Sequence, residues 1–181
     1  MPFHRDFPPP DPVKLFVAVL WRDPGDFTPL LPRLTAQWGA VDHAGAPVPF
    51  DRTDYYTPEM GAPLFRQIFS FERLFSPEVL VAAKHLTTRL EWESTVGGNR
   101  RVNLDPGFLD YHKVVLASMK YGGKKIYLGE GVYADLVLHY VGGEWASLPW
   151  TFPDFRSGVH DETLLEMRRR YKLARRQRPG G

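Results

Sequence analysis

Residues 100–110 set two cations (Arg100, Arg101), an amide (Asn103) and two carboxylates (Asp105, Asp110) around Pro106-Gly107. Guanidinium groups carry forked N–H donors that match the oxygens of phosphate or carboxylate. A second polar loop, residues 51–61, holds Asp51, Asp54, Tyr55, Tyr56 and Glu59. A third, residues 149–156, is a rigid aromatic loop with Trp150, Asp154 and Arg156. Together these compose a candidate pocket for an anionic, phosphate-containing ligand. Arg101 and Arg156 would supply charge, Asn103 and Asp105 polar contacts, and Tyr55, Tyr127, Tyr133 or Trp150 a stacking surface. Carboxylates are also the donors Mg²⁺ takes, so Asp51, Asp54 and Asp105, with Glu59 and Asp154, could serve a metal-assisted hydrolase or phosphoryl-handling enzyme. The local alternative is that Asp51 and Asp54 make turns and Asp105 caps a helix after Pro106-Gly107.

Several chemistries are excluded. There is no cysteine, hence no disulfide, thiol nucleophile or Cys-ligated metal. Gly122-Gly123-Lys124-Lys125 lacks the spacing and hydroxyl of a P-loop and precedes a strand-like run. Gly129, Gly131 and Ala134 have the letters of a dinucleotide fingerprint, but the residues after Gly131 alternate as a strand rather than opening a helix. No Gly-x-Ser-x-Gly elbow occurs. His85-Leu86-Thr87 resembles half of the paired motif of two-histidine phosphoesterases; its second copy is missing. Residues 102–106 resemble a segment of the GPN-loop GTPases, which pair it with a P-loop that this chain lacks.

A chain of 181 residues, 43% of them apolar, fits one domain with a sizeable core. The net charge is +2, but residues 157–181 carry seven Lys/Arg against three acids, which leaves −2 for the rest. Arg168, Arg169, Lys172, Arg175 and Arg176 therefore form a basic segment that could meet nucleic acid, as in an RNA- or ribosome-associated adaptor using its C-terminal helix; a solvated helix face is the plainer reading. Tyr and Trp interleaved with Lys120, Lys124, Lys125 and Arg100 also suit nucleotides or single strands. No apolar run approaches the roughly 18 residues that span a bilayer, and the first ten lack a signal-peptide core, so a soluble cytoplasmic protein is expected.

The elements follow from periodicity. Residues 1–12 read as a mobile Pro-rich lead-in, 13–174 as one α+β domain and 175–181 as a basic disordered tail. Residues 14–21 form a continuous apolar run, a strand covered on both faces. Residues 27–38 have helical spacing, and 41–50, broken by Pro47 and Pro49, an irregular edge strand. Residues 64–74 read as a strand, and Ser76-Pro77-Glu78 opens a helix to about Ser94. Residues 100–104 follow as a strand. This β-α-β-β-α-β order predicts a ferredoxin-like split βαβ sandwich. It is extended by a helix over 108–120 (Leu109, Leu116 and Met119 inward), an antiparallel hairpin and meander over 124–148, and a C-terminal helix from about Asp161.

Several strings occur in combination: residues 12–17; Phe50-Asp51 to Gly61; Phe71-Glu72; Arg101 to Gly107; Ile126-Tyr127-Leu128-Gly129 to Ala134; and Leu148-Pro149-Trp150 to Arg156. In these the chain resembles the bacterial family of domain of unknown function 4416, over about Pro12 to Tyr171. The resemblance implies no activity, cofactor or catalytic residue. Relatives often carry His-Arg before the Ile-Tyr-Leu string; Lys124-Lys125 stand here, so any acid–base role of that histidine is absent. What it implies is where to look, since its motifs are polar, aromatic and mostly in loops.

Overall fold

The computed structural model describes residues 8–177. At its centre lies β1 (Val13–Trp21), buried along its whole length. Apolar side chains on both faces suit a strand with a layer above and below. β1 runs antiparallel between β4 (Phe65–Phe75) and β5 (Val102–Leu109). Outward from β4 come β2 (Val41–Ala44) and the two-residue β3 (Val48–Pro49), the broken edge that Pro47 and Pro49 dictate. Outward from β5 come β6 (Lys113–Ser118), β8 (Val132–Val141) and β7 (Ile126–Gly129). β9 (Glu144–Ser147) pairs back onto β8 through the Gly142-Gly143 hairpin. The nine strands among the described residues form one antiparallel sheet, β2-β4-β1-β5-β6-β8-β7, with β3 on β4 and β9 on β8.

The period-2 alternation of β1 divides the core. Leu15, Val17 and Val19 pack with Leu34 and Trp38 of α2 (Leu31–Trp38) and with Ala83 and Leu90 of α4 (Val79–Glu93). Phe16 and Ala18 pack with Phe155 of α5 (Pro153–Arg156) and Leu164, Met167 and Tyr171 of α6 (Asp161–Arg176). The protein is therefore α+β, with helices on both faces of the sheet. α1 (Pro24–Phe27) and a 3₁₀ turn (Thr28–Leu30) lead into α2, so the helical stretch starts earlier than its Leu spacing indicates. α3 (Thr57–Met60) is a single turn in the second polar loop.

The expected Pro106-Gly107 corner and the helix over 108–120 are not formed. β5 runs straight through Asp105, Pro106 and Gly107, and a hairpin at residues 110–112 leads into β6. Asp110 stabilises that turn by accepting the N–H groups of His112 (2.7 Å) and Lys113 (2.9 Å). Gly107 serves close packing rather than turning, because a Cβ there would sit 2.5 Å from the Phe16 ring and from the Val115 carbonyl. Leu104 N–H points away from β1, and alternate residues point alike, so the nitrogen of Pro106 faces the side where β6 pairing has ended. Asp105 consequently caps nothing. The spacing of Leu109 and Leu116 fitted a helix, yet the β-branched Val114-Val115 pair belongs to a buried strand.

The tail assignment also changes. α6 continues through Arg176, and its Tyr171 hydroxyl donates to the carbonyl of Pro12 (3.0 Å) while Arg175 pairs with Asp11 (2.8 Å). The end of the lead-in is thus tied down. The remaining parts of both terminal assignments, residues 1–7 and 178–181, lie outside the described residues. Among the described residues, no helix is long and apolar enough to cross a membrane.

Candidate functional site

Strand register places the sequence candidates on one face of the sheet. Asn103 and Asp105 pair with Leu20 and Ala18 of β1, and Arg66 of β4 pairs with Leu20 from the other side. Farther along, Ser118 pairs with Tyr133, Leu116 with Asp135, and Tyr127 with Tyr133. A polar and aromatic row thus crosses from β4 to β7 on the face that carries α5 and α6. The 51–61 loop and the 149–156 loop border it through Tyr55, Tyr56, Asp154 and Trp150.

The inner half of the row is an ion-pair network. Arg66, 4% exposed, donates to Asp154 at 2.7 Å and lies 3.5 Å from Asp105. Its guanidinium sits 4.6 Å from the Phe50 ring centre. Asp105 also receives the amide of Asn103 (2.7 Å) and faces Lys84 at 3.6 Å. Arg100 donates to Asn103 at 3.0 Å and grips Glu59 with two bonds, 2.8 and 2.6 Å. That fork holds the 51–61 loop against β5, and it lowers the Glu59 carboxyl. Burial and the Asp105 charge push the Tyr56 hydroxyl upward. Burial alone would raise Asp154; the adjoining His160 and Arg66 outweigh it and hold that carboxyl below its ordinary range. His160 Nε2 is 3.4 Å from Asp154, too long for a well-formed hydrogen bond, and it and Arg66 Nε are buried without a hydrogen-bond partner among the described residues.

α4 completes the network from the opposite face. β6 pairs with β5 only from Gly107 to Leu109, which leaves the outer edge of Leu104 without a strand. Glu91 accepts its N–H (2.5 Å) and Lys84 donates to its carbonyl (3.3 Å), so two helix side chains replace a strand partner. Burial raises the Glu91 carboxyl to about 7, although Lys84 and the Leu104 N–H oppose the shift.

The outer half of the row is open. Lys120 hydrogen-bonds the Tyr55 hydroxyl and lies 4.7 Å from that ring's centre, lowering the hydroxyl's pKa. Lys124 lies 5.2 Å over Trp150, whose indole N–H donates to Leu136 (3.0 Å). Tyr121 and Tyr127, 79% and 58% exposed, both pack on Tyr133. Lys125 is drawn to Asp135 (3.7 Å), but Lys120 and Lys124 have no carboxylate in ion-pair range among the described residues.

Not every candidate belongs here. Asp51 and Asp54 are exposed. No group of three or more His, Asp or Glu among the described residues is placed to hold a metal, so Asp51, Asp54 and Asp105 do not assemble. Asp105 already faces two cations. Arg156 is spent on the carbonyl of Pro149 (2.6 Å). Arg101 lines a separate open pocket with Arg22. On α6, Arg169 and Arg170 are bridged by Glu166, held down to about 2 by them, and Arg168 donates to Tyr111 and stacks on Tyr140. Lys172 and Arg176 alone of the proposed basic contacts lack a partner among the described residues.

Arg66, Lys84, Glu91, His160 and Arg22 were not visible as site residues. For Arg66, Lys84, Glu91 and His160 the signal is a charged or titratable residue at a core-facing position, whereas the exposed Arg22 gives none. Arg66 alternates with Leu64 and Ile68, while Lys84 and Glu91, seven apart, share a helical stripe with Leu80 and Thr87.

The structure defines an α+β protein whose open sheet face carries a neutralised ionic network beside exposed rings and lysines. Residues 11–171 match the family described as Domain of unknown function (DUF4416), and the chain belongs to that family. Comparison with curated proteins and with solved structures gives no match.

Proposed function

We propose that the protein binds a phosphate-containing, nucleotide-like ligand on the outer half of this face, by stacking on Tyr121, Tyr127 or Trp150 and by phosphate contact with Lys120 and Lys124. The observation that carries the reading is the contrast between the two halves. Acids and cations of the inner half neutralise one another, whereas Lys120 and Lys124 sit among exposed rings with no carboxylate partner among the described residues. A ring stacks on a base and an unpaired ammonium attracts phosphate. The platform is a ferredoxin-like split βαβ sandwich in this proposal: the order β2-β4-β1-β5, with α2 and α4 on one face, supports it. A cytoplasmic setting belongs to the same proposal. The metal-assisted hydrolase has no comparable support, and of the basic α6 face Lys172 and Arg176 are without a partner among the described residues and could meet an acidic one.

The test is isothermal titration with a panel of nucleoside mono- and triphosphates and with inorganic phosphate. Nucleotides are expected to bind and to quench Trp fluorescence. Lys124→Ala and Tyr127→Ala should each weaken them at least fivefold, about 1 kcal/mol per lost contact. Binding of the whole panel with no effect of either substitution would remove this face from consideration.

A further inference from the structure

The rings and cations of this face do not converge on one point. Tyr55 stands with Lys120 on the loop side, Tyr121 and Tyr127 flank Tyr133 at β7, and Trp150 stands with Lys124 beyond. Another pair of cations lies at the opposite end of the 51–61 loop. Arg22, which follows β1, and Arg101, which precedes β5, line an open pocket of about 580 Å³ with Asp23 and Asp26. Asp23 caps α1 through the Gly25 N–H (2.8 Å). Neither arginine has an ion-pair partner among the described residues. The loop joins the two regions: the Arg22 guanidinium lies against Gly61, where a Cβ would be 3.1 Å away, and Glu59 grips Arg100, the neighbour of Arg101.

We infer that the ligand is single-stranded nucleic acid, running from the Arg22/Arg101 pocket across the 51–61 loop to β7. The inference rests on the proposed nucleotide-like binding and names its class. One mononucleotide needs one ring and one cation cluster; here rings and cations without a carboxylate partner among the described residues recur along a path. That layout suits several bases stacking in turn while the backbone tracks the charges. Paired bases in a duplex would not present their faces to the rings. Four cations (Arg22, Arg101, Lys120, Lys124) can each neutralise a phosphate. With a salt slope of about 0.7 per contact on single strands, affinity should fall roughly 50-fold between about 50 and 200 mM salt.

The experiment is fluorescence anisotropy on the full chain with labelled oligo-U and oligo-dT of about 12 nucleotides, a duplex of equal length, and UMP as competitor. Single strands are expected to bind at least 100-fold tighter than UMP and tighter than duplex, with the RNA and DNA arms giving the preferred sugar. Arg22→Ala/Arg101→Ala should reduce the salt slope by about 1.4 and oligonucleotide affinity at least tenfold, leaving UMP unchanged. UMP binding with no gain for the oligonucleotide overturns this inference alone; binding of neither overturns the nucleotide-like reading as well. Equal binding of duplex also defeats it. Sedimentation supplies the last arm. A dimer that Ile126→Lys on the exposed β7 edge converts to monomer, with no oligonucleotide bound, assigns the face to a second copy of this chain.

Discussion

Arg66 and Asp154, 88 residues apart, meet in the interior through a 2.7 Å charged hydrogen bond that joins β4 to α5. Both side chains are about 5% exposed. Removing Asp154 leaves the buried Arg66 with Asp105, at 3.5 Å, as its remaining counter-charge, so Asp154→Ala should lower stability by about 3 kcal/mol in urea unfolding. Replacing both, Arg66→Met with Asp154→Leu, should recover most of that loss, because the desolvation cost disappears with the charges. A double variant as unstable as the single one would mean that packing around Phe50 and Phe155, and not charge, dominates.

Glu91 gives the protein a pH dependence opposite in sign to that of Asp154. Burial raises Glu91 to about 7 from an ordinary 4.5, so the folded state binds its proton more tightly than the unfolded chain. Its stabilising contribution is complete below about 4.5 and is lost as pH rises through about 7, at up to roughly 1.4 kcal/mol per pH unit. Asp154, held below its ordinary range, instead loses its contribution as pH falls. Glu91→Gln keeps an acceptor for the Leu104 N–H while abolishing the titration. Chemical denaturation from pH 5 to 8 should show a flatter profile for that variant than for the parent.

Gly107 is intolerant of any side chain. A Cβ would meet the Phe16 ring and the Val115 carbonyl at 2.5 Å, and the carbonyl belongs to a paired strand that cannot step aside. Gly107→Ala should cost about 1–3 kcal/mol, as overpacking does, visible as a lower Tm. The exposed Gly123, with nothing within 4 Å of its Cβ position, should accept alanine without loss.

Much of the fold was legible because the hydrophobic pattern alone determined it. The unbroken apolar run of β1, the alternation of β8 and the stripe of α4 each describe a face that must be covered. Residues 105–118 depart from their local signals for an identifiable reason. Pro106-Gly107 carries a strong turn signal locally, but the Phe16 ring across the strand needs the room that glycine leaves, and that is a tertiary fact. The site was legible by residue type more than by role. Asn103, Asp105 and Glu59 were found by polar density, yet Arg66, Lys84 and Arg100 consume them. No local sequence signal tells a partnered carboxylate from a free one, because the partners arrive from β4 and α4.

Those partners also decide the response to metal. Asp105 faces Arg66 and Lys84, and Asp51 and Asp54 are exposed on their loop, so a divalent cation would have to displace two charges to reach Asp105. Millimolar Mg²⁺ or Mn²⁺ should leave Tm unchanged, and EDTA should do the same. A metal-dependent rise in Tm that Asp105→Asn abolishes would instead reinstate a metal site there.

Tyr121 and Tyr127 separate structure from recognition. Their rings are largely in solvent, resting on Tyr133 by edge and tilted contacts at 6.0 and 5.2 Å. Exposed substitutions of this kind usually shift stability by no more than about 0.5 kcal/mol. A base stacked on either ring contributes about 1–3 kcal/mol to binding. Tyr121→Ser and Tyr127→Ser should therefore leave the urea midpoint in place while each weakens nucleotide binding at least fivefold. Their double variant should show near-additive losses if two bases stack independently, and no further loss if one base bridges both rings. Trp150→Phe serves as the comparison. It keeps an aromatic face for stacking but removes the indole bond to Leu136, so stability should fall while binding is largely retained. The opposite outcome, stability lost at Tyr127 and binding untouched, would make the exposed rings a packing surface and leave the lysines beside them without a ligand.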